Sequence, residues 1–125
     1  MEHRHRLRVR YAETDQMGVA HHSACVPWLE EARIEWLRAH GASYRDLEAG
    51  GILMPVVDLQ VRYRRPVRFD DAVDLITTVS APGPTRLVFH TELFHEGKLC
   101  LTADVTVAAI DRDSRPVRIP AGLLP

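Results

Sequence analysis

The sequence predicts an α+β fold in which one long helix lies against a five-stranded antiparallel sheet. Three observations predict it. Residues 4–11 alternate with period two, residues 23–40 switch to a helical period, and residues 57–109 return to alternation in four runs. Strands that follow one another with no helix between them pair antiparallel, which sets aside a doubly wound parallel sheet.

In the first strand Arg4, Arg6, Arg8 and Arg10 point one way, and His5, Leu7, Val9 and Tyr11 the other. The arginine row reads as the wet side of an edge strand, where like charges discourage pairing with another chain. From Ser23 to about His40, Cys25, Leu29, Ala32 and Trp36 recur on one helical face, with Val26, Arg33 and Leu37 beside them. Pro27 fits only near the first turn, so the helix starts between His22 and Val26, and Gly41 ends it. At 1.5 Å per residue such a helix is about 25 Å long. Residues 43–49 predict a short second helix with Ser43 as N-cap, broken by Gly50 and Gly51.

The later strands are carried by Val57, Leu59, Val61 and Tyr63; by Val73, Leu75, Thr77 and Val79; by Leu87, Phe89, Thr91 and Leu93; and by the alternation from Leu99 to Ala109. Turns are expected at Ala81-Pro82-Gly83-Pro84 and His95-Glu96-Gly97-Lys98, so the four strands read as a meander, with turn and tail from Asp111 to Pro125. One helix cannot cover both faces of five strands. The sheet is therefore expected to curl around it, and a bare edge or face invites a second copy of the chain.

A chain of 125 residues is expected to be a single domain, residues 1–125, large enough to bury a core without disulfide or metal. Its 46% hydrophobic and 26% charged residues place it among soluble globular proteins, and a net charge of −1 argues against a nucleic-acid binder. Cys25 and Cys100 are too few for a disulfide framework and read as packed thiols in a reducing compartment. With no signal-like segment and no apolar run near the ~20 residues of a membrane span, a cytoplasmic location is the expectation.

The chemistry concentrates in Tyr11-Ala12-Glu13-Thr14-Asp15-Gln16-Met17-Gly18-Val19-Ala20-His21-His22, where an acid, a glycine and histidines precede the long helix. A carboxylate near N–H groups at a helix start suits carbonyl chemistry. The residues alone leave Asp15 either as a turn or helix cap or as a catalytic acid. His21 reads as a surface residue, and Cys25 as helix packing rather than a nucleophile. His3, His5, His21 and His22 lack an acidic or thiol ligand at a recognised spacing, so no metal or other cofactor is expected. No nucleophilic-serine elbow or phosphate-binding glycine loop occurs.

Three motifs together resemble the 4-hydroxybenzoyl-CoA thioesterase-like branch of the hotdog fold, and within it the Tol–Pal-associated bacterial acyl-CoA thioesterases. They are Tyr11-x-Glu13-Thr14-Asp15-x-x-Gly18-Val19-x-x-His22, Val61-x-Tyr63-x-x-Pro66-x-x-x-Asp70-Asp71, and Arg115-Pro116-x-x-Ile119-Pro120. The resemblance implies a hotdog fold and hydrolysis of acyl-CoA to free acid and CoA. It implies Asp15 as base or nucleophile, His22 as an assisting residue, and the N–H groups of Gly18 and Val19 at the helix start as oxyanion donors. It also implies a site at a subunit interface, with pantetheine entering between subunits of a dimer or, more usually, a tetramer. Guanidinium groups suit the phosphates of CoA, and Arg64, Arg65, Arg86, Arg112 and Arg115 are the candidates.

Other readings stand beside this one. The fold also hosts non-catalytic acyl-CoA or acyl-carrier-protein binding modules, dehydratases and hydratases, and a second thioesterase branch whose acid lies on the helix, where Glu30, Glu31 and Glu35 are available. Trp28, Trp36, Phe89 and Phe94 are the candidates to shape an acyl pocket.

Overall fold

The structure, a computed structural model, describes all residues from Met1 to Pro125. Strand β1 (His3–Arg8) leads through a 3-10 turn at Tyr11–Glu13 and a loop to helix α1 (Cys25–Ala39) and helix α2 (Tyr44–Ala49). Strands β2 (Val56–Tyr63), β3 (Ala72–Gly83), β4 (Arg86–His95) and β5 (Lys98–Ala108) follow, and a 3-10 turn at Ala121–Leu123 closes the chain. The five strands form one antiparallel sheet in the order β1-β3-β4-β5-β2.

That order corrects the expected four-strand meander. Only β3, β4 and β5 form one; β2 crosses to the far edge, with Leu59 opposite Val105 and Tyr63 opposite Leu101. The difference lies in the connections. A two-residue turn at Glu96-Gly97 joins β4 to β5, with φ of 50° and 77°, the left-handed pair whose twist matches a hairpin. Between β2 and β3, by contrast, Pro66 offers no N–H, and the N–H groups of Arg64 and Arg65 both donate to the Cys100 carbonyl, at 2.8 and 3.0 Å. The β3–β4 turn also falls later than expected, on Pro84 and Thr85, because a bulge after Ser80 carries Pro82 and Gly83 into the strand.

The helical stripe packs as the period requires. Cys25, Leu29, Ala32, Trp36 and Leu37 are buried, with Trp28 added at the first turn. Gly41, at φ 79°, provides the left-handed residue after the helix, and Ser43 Oγ accepts the Asp46 N–H at 3.3 Å to cap α2. Helix α1 lies over β1, β3 and β4. Trp36 there meets Phe89 edge to face, with ring centroids 5.8 Å apart, over fully buried Val73, Leu75, Leu87 and Leu93. The tail does more than end the chain: Ile119 and Leu123 join the core.

The two sheet edges differ. On β1 the arginine row faces solvent, as expected, with Arg4 and Arg6 near Asp74 at 3.8 and 3.7 Å. On β2, Leu59, Val61 and Tyr63 share the inner face with buried Val105, Ala103 and Leu101. Helix α1 packs chiefly on β1, β3 and β4 and meets β2 at Cys25, 3.4 Å from the Tyr63 oxygen, and Leu59 remains 41% and Tyr63 55% exposed. No helix is long and apolar enough to cross a membrane.

Candidate active site

The loop after β1 is built around Asp15. Gly18 takes a left-handed turn at φ 76° and donates its N–H to the Asp15 carbonyl at 3.0 Å, which brings Val19 back to face Asp15. Asp15 Oδ1 then accepts the N–H groups of Met17 at 2.8 Å and Val19 at 3.2 Å. Oδ2 makes no hydrogen bond within the chain. Asp15 is half-buried in a shallow groove shared with Tyr11, Thr14, Gln16 and His21. Across it the Tyr11 ring stands edge-on to Phe69 at 5.4 Å, and the Phe69 N–H donates to the Gly18 carbonyl. One carboxylate oxygen therefore caps a turn, and the other has no partner within the chain.

Glu13 has a different task. Its Oε2 accepts the Trp28 indole N–H at 2.8 Å and its Oε1 accepts the Arg10 N–H at 2.7 Å, which fastens the loop to α1. Gly18 and Val19 need a correction. They were expected to donate to an oxyanion at the helix start, but α1 begins only at Cys25, and both N–H groups are already bonded to Asp15. The N–H groups of His22, Ser23 and Cys25, in the turn leading into α1, have no acceptor within the chain.

Beside that turn opens a pocket of about 280 Å³. Its buried wall is Cys25, Trp28, Val67 and Leu101, and its exposed rim carries His21, His22, Tyr63, Arg64 and Arg65. His21 also borders the Asp15 groove, so it stands between the two depressions. Trp28 turns an apolar ring to the pocket because Glu13 satisfies its N–H. The Tyr63 hydroxyl donates to the His22 carbonyl, and Cys25 Sγ lies 3.4 Å from both that carbonyl and the Tyr63 oxygen. Burial pushes the Cys25 thiol up, which keeps it protonated near neutral pH and fits packing rather than nucleophilic attack. Desolvation beside Cys25 pushes the Tyr63 hydroxyl up to about 12, so it remains a donor.

The structure separates the other candidates. Of the five arginines only Arg64 and Arg65 reach the pocket. Arg112 donates to the carbonyls of Glu48 and Ala49 at 3.2 Å and closes the end of α2; Arg115 belongs to a turn organised by Asp111; Arg86 opens β4. On α1, Glu31 lies 3.4 Å from His5 and Glu35 3.2 Å from Arg38, and neither these nor Glu30 borders the pocket. Of the four aromatic candidates, only Trp28 lines it. The two tyrosines that frame the site, Tyr11 and Tyr63, stand in the recognised motifs but had no role assigned to them from sequence.

A family model described as the thioesterase-like superfamily matches residues 9–125. The chain belongs to that superfamily. Among its relatives, the acyl-CoA thioester hydrolase YbgC of Escherichia coli is 33% identical over 120 residues, covering 95% of this chain and 87% of the relative. A solved structure titled as a DHNA-CoA thioesterase from Staphylococcus aureus superposes with a TM-score of 0.89 at 35% identity, covering 94% of this chain and 80% of that one. A Thermus thermophilus protein, TT1821, gives a TM-score of 0.89 at 38% identity, with 96% and 90% covered. Across the superfamily match the curled five-stranded antiparallel sheet of this chain is the hotdog fold.

Proposed function

We propose that this member of the thioesterase-like superfamily hydrolyses acyl-CoA thioesters to free acid and CoA. The observation that carries the reading is the Asp15 carboxylate. It is held by one oxygen and unpartnered at the other, and His21 borders both its groove and an apolar pocket that has arginines on its rim. Asp15 Oδ2 takes the proton of a water that adds to the thioester carbon, or adds to that carbon itself. The carbonyl oxygen gains negative charge as the C–O bond forms, and the unpaired N–H of His22, three residues before α1, is the donor we assign to it. The carbon–sulfur bond then breaks, and the departing thiolate takes the proton that the water gave up; where Asp15 itself added, a water next cleaves the resulting anhydride, releasing the acid, restoring the carboxylate and supplying that proton. The His22 side chain on the rim orients the water or the carbonyl. Arg64 and Arg65 offer cations to the phosphates of CoA.

A second copy of the chain completes this arrangement. The β1 edge is guarded by arginines, whereas β2 presents Leu59 and Tyr63, 41% and 55% exposed, of which Tyr63 also lines the pocket. Pairing along β2 covers that strip and places the pantetheine path at the seam, in a dimer or a dimer of dimers.

The direct test is release of free thiol from a panel of acetyl-, octanoyl-, benzoyl- and 4-hydroxybenzoyl-CoA, with an acylated carrier protein in parallel. Turnover of at least one acyl-CoA supports hydrolysis, while tight binding without release marks a non-catalytic module. His22→Ala is expected to lower kcat/KM by about 10-fold, less than the loss expected for Asp15→Asn, because it removes assistance and leaves the acid in place. A larger loss in His22→Ala reverses the two roles.

A further inference from the structure

From the hydrogen bonds around residue 22 we infer that Tyr63 is the positioning residue that fixes His22 for the reaction proposed above, on which this inference rests. The peptide unit is planar, so the His22 N–H follows the plane before it, while the His22 side chain is aimed by the planes before and after it together. The plane before His22 is held within the turn, where the His21 carbonyl accepts the Ala24 N–H at 3.0 Å. The plane after it is held through the His22 carbonyl, which receives the Tyr63 hydroxyl and the Cys25 thiol. A thiol at 3.4 Å is the weaker donor, so the hydroxyl is the principal restraint.

Tyr63 is the contact that ties this turn to the sheet. It stands at the end of β2, opposite Leu101, and its ring forms part of the pocket wall. His22 itself is exposed, lies outside any helix or strand, and receives no side-chain packing comparable to Trp28 on the next turn. A long-range hydrogen bond from a strand substitutes for burial in holding it. The same bond links the turn to the strand proposed as the subunit seam, so assembly along β2 and alignment of His22 share one residue.

The test is Tyr63→Phe, which removes the hydroxyl and keeps the ring. The inference expects kcat on the preferred acyl-CoA to fall by about 10-fold, the size of one lost hydrogen bond, with KM within about 2-fold of the parent. Backbone ¹⁵N relaxation supplies a readout independent of turnover: the Ser23 N–H shares its peptide plane with the His22 carbonyl, and its order parameter is expected to fall from a rigid value near 0.85 to below about 0.6, with amides of β4 and β5 unchanged. An unchanged order parameter at Ser23 overturns the inference. So does a rise in KM at constant kcat, which makes Tyr63 a substrate contact, or an activity loss that merely follows a lower Tm. An inactive parent protein refutes the hydrolase reading, while the relaxation result still decides what Tyr63 does to His22.

Discussion

Replacing Asp15 with asparagine is expected to lower kcat/KM for acyl-CoA hydrolysis by at least about 10²-fold while the protein stays folded. The size of the effect follows from the division of labour between the two carboxylate oxygens. Asparagine retains an acceptor oxygen where Oδ1 receives the N–H groups of Met17 and Val19, so the turn through Gly18 persists. These bonds weaken, because an ionised acceptor makes roughly twice as strong a hydrogen bond as a neutral one. The other position becomes an amide NH₂, which accepts no proton and attacks no carbonyl. Thiol-release kinetics beside thermal denaturation make the check: activity lost with Tm lowered by only a few degrees is the expected pair. Near-parental turnover removes Asp15 from the chemistry and leaves it as a turn cap. Alanine is the poorer probe, since it strips both N–H groups of their acceptor and mixes loop damage with lost catalysis.

What the sequence makes legible, and what it hides, follows the range of the forces involved. The start of α1 is readable because Pro27 tolerates only the first turn, and the stripe from Cys25 to Trp36 is a local consequence of 3.6 residues per turn. Asp15 is readable because the residues around it form a compact motif. The position of β2 is not: the alternation of Val57, Leu59, Val61 and Tyr63 shows which residues share a face and looks the same whether the partner is β3 or β5. Nor are the free N–H groups. Gly18 and Val19 resemble donors until the left-handed turn at Gly18 directs both to Asp15. That turn is held by contacts from distant residues, with the Ala20 N–H on the Val67 carbonyl and the Phe69 N–H on the Gly18 carbonyl. The arginines divide for the same reason. Arg64 and Arg65 reach the pocket because β2 crosses the sheet to lie beside β5, whereas Arg112 meets the end of α2. Tyr63 sits 41 residues from His22 in the chain, a separation across which no sequence period carries information.

Leu59→Asp is expected to convert the assembled protein to a monomer and to reduce acyl-CoA turnover by at least about 10-fold. Leu59 lies on the inner face of β2, opposite fully covered Val105, yet is 41% exposed, α1 packing chiefly on β1, β3 and β4. In a two-fold assembly along β2 each substitution appears twice, so two carboxylates meet in an apolar seam, at an effective cost of several kcal/mol per buried ion. Within the single chain the same residue remains open to water, so the fold tolerates the change, and circular dichroism with Tm near the parental value is expected to show it. Light scattering coupled to size exclusion reads the assembly state. A parental protein that runs as a monomer refutes the seam outright. An assembled parent whose Leu59→Asp variant becomes monomeric yet keeps full turnover separates assembly from catalysis and confines the chemistry to one chain. Loss of both together ties them, since the pocket bordered by Tyr63, Arg64 and Arg65 opens beside the same strand.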